Sequence, residues 1–473
     1  MEGAYVTTDN DTGEAYGGLL LTDLYQLNMM QAYLDSGFTR TAVFEFFVRD
    51  LPQGRNFLIS SGLGPVVDLL RSAAFRDTEL TWLRETGRFR DNLIAYLSDL
   101  RFEGDVDAVP EGTVVFPNEP ILRVTAPLPV AQLVETRLIN LMQVSTLVAS
   151  KAARMTLAAP DARLVDFGLR RAHGAEAGVL AARAAYMAGF HATATVPAGR
   201  LWGLPLLGTM AHSFVEAHAD EVAAFRNFLR SRPNEGVLLI DTYDIEQGAR
   251  NVVKLAPELA RAGAPVTGVR IDSGDLGEMA QRVREILDAG GLKGVDIFAS
   301  GGLDEWKLAR LRAEGRPIDG YGIGTALTTS EDAPALDCAY KLQEYDGQLR
   351  RKLSSGKATW PGRKQVWRQY TKDGRLAGDL LAFEDESHQG TPLLQPILRD
   401  GKPVTPLPDL DTIRAHARAE LGALPPGLRA LEPATTRYPV TVSRRLQDTS
   451  EALAGELAAR NAAAADRLDE SEG

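Results

Sequence analysis

Six short apolar runs between residues 163 and 324 each end in side chains that can hold an anion, a sugar or a proton. The exits read Asp166-Phe167-Gly168-Leu169-Arg170-Arg171, Gly208-Thr209-Met210-Ala211-His212, Asp241-Thr242-Tyr243-Asp244, Arg270-Ile271-Asp272-Ser273-Gly274-Asp275, Ser300-Gly301-Gly302 and Gly322-Ile323-Gly324-Thr325. Glycine lets backbone N–H groups approach an anion closely, and a following helix N-terminus adds a favourable field. The last two exits therefore read together as a phosphate grip, although either alone would serve as a tight turn. Asp166, Asp241, Asp272 and Asp275 could hold Mg²⁺, bond sugar hydroxyls, stabilise a cationic sugar carbon or pair as a glycosidase dyad. For any single one of them, a helix cap explains the position equally well. His212 opens a helix and is placed to act as base, acid or nucleophile, while a lone histidine is more often a hydrogen-bonded structural residue. Arg170-Arg171 beside Phe167 suit a planar aromatic carboxylate, with one face to stack on and a fork to grip the anion; surface salt bridges are the plain alternative.

Such residues converge only if the chain brings the run ends to one edge. The β-rich runs 163–168, 204–209, 236–241, 266–272, 295–300 and 318–324 alternate with helical stretches 176–188, 212–229, 245–262, 276–289 and 304–314. Their ends lie 24 to 43 residues apart, the spacing of successive βα units, whose right-handed crossovers build a parallel sheet or barrel with the site at the carboxyl ends. Region 190–196 is a candidate for one more strand, so the expected α/β barrel is irregular. Around it, residues 18–137 and 346–446 read as a mixed α/β domain. It opens with a helix over 19–34 capped by Thr22 or Asp23, followed by strands at 41–48 and 55–60 and a hairpin over 114–129. The barrel domain spans 138–345. Residues 1–17 read as a loose acidic arm, and 447–473 as an Ala-rich acidic helical tail.

Composition narrows the function further. The 473 residues carry 52 Lys+Arg against 63 Asp+Glu, a net charge of −11, which disfavours a nucleic-acid or anionic-membrane surface and leaves phosphates to a local pocket. The single cysteine, Cys338, excludes an internal disulfide and a Cys-based metal site and fits a reducing cytoplasm. No apolar stretch reaches the ~18 residues of a membrane span, and the acidic start lacks a signal peptide's basic region. The expectation is a cytoplasmic protein with no membrane or nucleic-acid partner.

These motifs, in this order, resemble nicotinate phosphoribosyltransferase. The resemblance also covers Leu21-Thr22-Asp23-Leu24-Tyr25-Gln26-Leu27, Leu353-Ser354-Ser355-Gly356-Lys357, Pro361-Gly362-Arg363-Lys364-Gln365-Val366 and Tyr438-Pro439-Val440, from about residue 19 to 443. It implies a type II phosphoribosyltransferase, with an irregular α/β barrel beside a domain built from both chain ends. The implied reaction joins nicotinate to phosphoribosyl pyrophosphate, yielding nicotinate mononucleotide and pyrophosphate in NAD salvage, with ATP as co-substrate and Mg²⁺ accompanying the pyrophosphate. The histidine matching His212 is phosphorylated by ATP in this family. Phe167 is similar to one wall of the pyridine site, and Tyr25 to the other wall, contributed by the partner in a homodimer. Arg170 and Arg270 resemble the cationic grips, Asp272 the acid near the ribose, and Ser300, Gly301, Gly302, Gly322 and Gly324 the 5′-phosphate cradle. Thr209 joins the substrate-binding set, and Lys357 and Lys364 are candidates to reach phosphates.

Sugar–pyrophosphate cleavage builds positive charge on C1 and negative charge on the departing oxygens, so acids by the ribose and cations by the pyrophosphate are the required polarity. The ring nitrogen of nicotinate is itself the nucleophile, so the walls supply orientation. The resemblance places an Asp at position 194 in nicotinamide-using relatives. This chain has Ala194, which disfavours nicotinamide phosphoribosyl transfer, the nearest alternative. The other alternative, a barrel glycoside hydrolase, is disfavoured by the paired glycine grips.

Overall fold

Strands form where the βα spacing places them. In the computed structural model, which describes residues 18–354 and 359–471, a parallel sheet contains Arg163–Asp166, Ala192–Thr193, Val237–Leu239, Gly268–Ile271, Asp296–Ser300 and Gly320–Ile323. The arm 1–17 and Lys357 lie outside the described residues. Across the sheet the strands begin 192, 163, 320, 296, 268, 237, so the last strand in sequence lies beside the first, and every pairing is parallel. A one-residue parallel bridge from Thr193 to Leu206 extends this cyclic order. Among the described residues no ladder joins the Leu206 segment to Val237–Leu239, and the ring of neighbours is open there.

Helices on the sheet bury a stripe at helical spacing. Ile245–Arg261 turns Val252, Leu255, Ala256 and Leu259 inward, into the same core as the fully buried strand residues Val269, Ile297 and Tyr321. Three aspartates start these helices. Asp244 accepts the Gln247 amide at 2.7 Å, Asp275 that of Glu278 at 3.0 Å and Asp304 that of Lys307 at 2.7 Å. Each cap satisfies a first-turn amide that has no partner within its helix, and Asp275 is thereby a cap rather than part of a carboxylate pair.

Several local expectations change. The run 204–209 contributes only the Leu206 bridge, because Pro205 has no N–H to give a ladder. The helix expected over 212–229 is two helices, His212–Glu216 and Glu221–Ser231, with Asp220 capping the second by accepting the Ala223 amide at 2.7 Å. The 114–129 hairpin is not formed. Val114–Val115 pairs with Leu58–Ile59, whereas Leu122–Pro127 runs between Thr41–Val48 and Asp105–Ala108. The intervening Phe116 stacks on Tyr438 with ring centroids 3.8 Å apart, which draws that arm away from its neighbour.

Strands from both ends of the chain share the second sheet, of seven strands, in which Thr41–Val48 pairs antiparallel with Cys338–Tyr345. A four-stranded sheet is built from Thr391–Pro392, Lys364–Tyr370, Leu376–Phe383 and Val440–Val442. The 24-residue helix Glu135–Ala158 serves two cores: Leu138, Leu141, Met142 and Leu147 pack into the second-sheet core, and Val148, Ala149, Ala152 and Met155 into the parallel-sheet core. Helix Leu24–Asp35 begins one turn later than the apolar periodicity suggests. Its N-cap Asp23 accepts the Thr136 hydroxyl at 2.9 Å instead of capping its own helix. No helix of the described residues is long and apolar enough to cross a membrane.

Candidate active site

Arg270 and Asp272 bracket the fully buried Ile271, so alternation along the extended chain sends both to the face opposite it. The Ser300 hydroxyl, at the end of the adjacent strand, donates to Asp272 Oδ1 at 2.5 Å and lies 3.4 Å from Arg270 Nη1. Arg270 Nη2 donates to the Met210 carbonyl at 2.8 Å, while its buried Nε has no partner among the described residues. Burial pulls the Arg270 pKa below its ordinary value, Asp272 and Asp241 push it back, and Arg170 adds to the depression. A desolvated guanidinium with unused hydrogen-bonding capacity favours an incoming anion.

Asp241 is the strut beneath this pair. Its Oδ2 accepts the Asp272 amide at 2.9 Å and the Ser273 hydroxyl at 2.7 Å, leaving buried Oδ1 without a partner among the described residues. His212 stands with Nε2 3.9 Å from Asp272 Oδ2 and Nδ1 3.2 Å from the Thr242 hydroxyl. Its side chain is 41% exposed, so a reactant can reach the ring. Thr209 is half-buried, its hydroxyl 3.4 Å from the Met210 carbonyl that anchors Arg270.

Phe167 follows the end of the Arg163–Asp166 strand, tied down by its amide bond to the Ile323 carbonyl at 2.8 Å. Its ring lies over Gly322, where an added Cβ would come within 2.4 Å of the ring carbons. Arg270 Cζ is 5.9 Å from the ring centroid. Asp166, the acid next door, is buried. Its Oδ1 accepts the Gly168 amide at 2.8 Å and its Oδ2 the Thr193 hydroxyl at 2.7 Å, and burial raises its pKa despite those bonds. It shapes the Phe167 turn and has little capacity left for a sugar or a metal. Arg170 projects exposed from the single helical turn Leu169–Arg171 and reaches Arg270 electrostatically.

Register aligns the remaining pieces, with Ser300 beside Gly322 and Gly322 beside Val165. Gly301 has φ +99°, and a Cβ there would meet the Asp272 carbonyl oxygen at 2.5 Å; Gly302 follows at φ +58°. Only glycine fits this turn, which leaves backbone N–H groups uncovered beside Ser300. Gly324 precedes the short helix Thr325–Thr328. The Ser300 loop is clamped from behind by a charge network. Fully buried Glu305 contacts Lys151 at 2.6 Å and Arg154 at 2.9 Å, and Asp332 contacts Lys151 at 2.7 Å and Arg55 at 3.0 Å.

The strand ends thus bring together Phe167, Arg170, Thr209, His212, Arg270, Asp272, Ser300, Gly301, Gly302, Gly322 and Gly324. Tyr25 is not among them. It is 46% exposed on helix Leu24–Asp35, with its hydroxyl 3.3 Å from Glu135 Oε2. Lys364 is no phosphate ligand here: it is buried, with Nζ 2.7 Å from Glu45 and bonded to the Trp360 and Gly362 carbonyls. Ala194 is exposed at the carboxyl end of Ala192–Thr193, and His191 lies at that strand's amino end, away from the site. The Met210 carbonyl and the Glu305 network were missed from sequence. A backbone oxygen has no residue-type signal, and the partners of Glu305 lie about 150 or more positions away. Among the described residues no group of three or more His, Cys, Asp or Glu is arranged to hold a metal ion.

Comparison with known proteins agrees across the chain. Residues 20–143 match the nicotinate phosphoribosyltransferase N-terminal domain, 162–352 the nicotinate phosphoribosyltransferase family and 387–450 its C-terminal domain. The chain is 48% identical over 448 residues to a nicotinate phosphoribosyltransferase of Mycobacterium tuberculosis, covering 93% of this chain and 96% of that protein. It is 40% identical over 376 residues to the Bacillus subtilis enzyme of that name, covering 78% and 76% respectively. The crystal structure of human nicotinic acid phosphoribosyltransferase superposes with a TM-score of 0.83 at 32% identity, covering 92% of this chain and all of that one. A glycine-walled aromatic shelf, a desolvated arginine and a serine-held carboxylate thus stand on the fold of these relatives, and the chain belongs to the nicotinate phosphoribosyltransferase family.

Proposed function

We propose that the strand-end site transfers the 5-phosphoribosyl group from phosphoribosyl pyrophosphate to the ring nitrogen of nicotinate. The pyridine lies on the Phe167 face, with Arg170 taking its carboxylate. The 5′-phosphate sits on the backbone of Ser300–Gly302 and at Gly324, with Gly322 covered by the Phe167 ring. The nitrogen lone pair forms the bond to C1 as the C1–oxygen bond breaks and its electron pair leaves with pyrophosphate. No protein base is needed. Asp272, held by Ser300, faces the positive charge developing on C1, and Arg270 faces the departing anion. The observation that carries this reading is the Phe167 ring lying over Gly322 with Arg270 Cζ 5.9 Å from its centroid, a flat shelf beside a cation.

Several finer features belong to the same proposal. ATP phosphorylates His212, releasing ADP. The new charge of nearly two units beside Asp272 repels that carboxylate and demands a countercharge, which couples phosphorylation to the state of the pocket. Asp241, through its unpartnered Oδ1, and Asp272 would hold Mg²⁺ with the pyrophosphate oxygens, a donor set that suits a hard cation. The ion would supply charge neutralisation on the leaving group. The cyclic strand order supports an irregular α/β barrel. An exposed Tyr25, whose hydroxyl meets Glu135 rather than any strand-end residue, supports a homodimer in which each subunit supplies Tyr25 to its partner.

The deciding test is product formation from phosphoribosyl pyrophosphate with nicotinate or nicotinamide, each with and without Mg²⁺-ATP. Mononucleotide from nicotinate, raised by ATP with matching ADP release, is expected. Product from nicotinamide alone would overturn both the substrate and the significance of Ala194.

A further inference from the structure

The amino ends of the parallel strands, opposite the site above, carry a cavity of about 450 Å³. Residues 159–162 and Gly189 line one part of it, Leu157, Leu164 and Leu421 supply large apolar side chains, and His191, Arg414, Arg418 and Arg429 are polar groups on the lining, with Thr156 and Asp161. In a chain of net charge −11 this concentration of cations runs against the average. The one acid on its lining, Asp161, is 84% exposed and directed to Arg312 at 3.7 Å.

The guanidiniums are not spent on salt bridges. Arg414 donates to the carbonyls of Tyr186 at 2.7 Å and Gly189 at 2.8 Å, and to that of Phe190. Those bonds fix the head group rigidly and leave Nε and one Nη2 proton uncommitted. Arg418 has no ion-pair partner among the described residues, and its charge acts on Arg414 as an unfavourable neighbour. Arg429 keeps a buried Nε with no hydrogen-bond partner among the described residues. A buried N–H left unpaired is unfavourable and adds to the pull of this guanidinium on an anion. His191 Nδ1 accepts the Leu164 amide at 3.2 Å, so the neutral ring carries its proton on Nε2 as a further donor. Every polar side chain on the lining except Asp161 and Thr156 is thus a net donor or a cation, beside an apolar wall.

We infer that this cavity is a second anion-binding site, built for a phosphate monoester with a small apolar body: Arg418 and Arg429 take the phosphate, Arg414 orders the rim, and Leu157, Leu164 and Leu421 cover the body. The volume is within the ~300–1,000 Å³ of small-molecule sites. The inference does not depend on the transferase reaction.

Phenyl phosphate is a suitable probe, followed by calorimetry on the full chain and on Arg418→Glu/Arg429→Glu. The wild type should bind one more equivalent than the double variant, or bind it at least about tenfold more tightly, with nicotinate turnover and melting temperature unchanged. Arg418→Gln/Arg429→Gln, which removes charge without reversing it, covers the case of a charge-reversed protein that does not fold. In the unaltered chain, hydrogen exchange should slow at 157–164 and 189–191 on adding phenyl phosphate. Equal binding by wild type and a folded variant, or unchanged exchange in those segments, would overturn the site. Inorganic phosphate binding there as tightly as phenyl phosphate would overturn the role of the apolar wall.

Discussion

Gly322→Ala tests the shelf on which the base is proposed to lie. The new Cβ would stand 2.4 Å from two ring carbons of Phe167, whereas non-bonded carbons settle at about 3.5–4.0 Å. Gly322 cannot retreat, because its strand is paired on both sides, with Ser300 and with Val165 as neighbours. Phe167 must move instead, by about 1 Å or more, while its amide stays bonded to the Ile323 carbonyl. The ring then moves away from Gly322, into the space proposed for the pyridine. A misplacement of about 1 Å can cost about 100-fold in rate, or about 2.7 kcal/mol of transition-state stabilisation. Overpacking of this kind lowers stability by about 1–3 kcal/mol, so the variant should fold with a reduced melting temperature. Steady-state kinetics with each substrate varied in turn should show nicotinate kcat/KM falling by about two orders of magnitude and the KM for phosphoribosyl pyrophosphate nearly unchanged. A folded variant whose nicotinate kcat/KM is within about threefold of wild type would refute the shelf.

Other perturbations separate the remaining roles. His212→Ala should abolish ATP stimulation and incorporation of labelled γ-phosphate while slow ATP-independent transfer persists, since the nucleophile is the substrate's own nitrogen; labelling at the native level would show a different phosphorylated residue. Arg170→Ala should raise the nicotinate KM more than that of phosphoribosyl pyrophosphate, and equal losses would remove Arg170 from the base site. For the homodimer, light scattering should give about twice 51.2 kDa. Mixing inactive Tyr25→Ala with inactive Phe167→Ala protein should restore activity through hybrid dimers, and a fully active monomer would contradict the shared site. Glu111 receives two 2.7 Å bonds from Arg183 and one of 2.7 Å from the Gly62 amide. Burial pushes its carboxyl up, but Arg183 and the Gly62 and Gly64 amides more than offset that and hold it below the ordinary range. Glu111→Gln should therefore destabilise by about 3–5 kcal/mol at neutral pH, leaving Arg183 buried and unpaired. A folded-state pKa below the unfolded one gives stability that is present above about pH 4.3 and lost as pH falls through the depressed value. The gap between wild type and variant in denaturant melts should thus close in acid, and a gap independent of pH would refute the assignment.

The family and the edge of the molecule where chemistry gathers were legible in the residues alone. Ordered motifs such as Gly208-Thr209-Met210-Ala211-His212 and Ser300-Gly301-Gly302 carry the family. The βα spacing brings the run ends to one edge of a parallel sheet, because right-handed crossovers leave no other arrangement. Local chemistry was legible too, as at Asp275, for which a helix cap was one of two readings and which caps the helix Leu276–Ala289. What the residues could not settle was which of several identical side chains is free to react. Asp166 and Asp272 both end strands, yet Asp166 is consumed by the Gly168 amide and by Thr193, 27 residues away, while Asp272 keeps an oxygen facing His212. Lys364 lies in a family motif yet is buried against Glu45, 319 residues earlier. A strand-end position is a property of local sequence. The free valence of a buried polar group depends on partners delivered by folding from distant parts of the chain, and only the tertiary structure decides it.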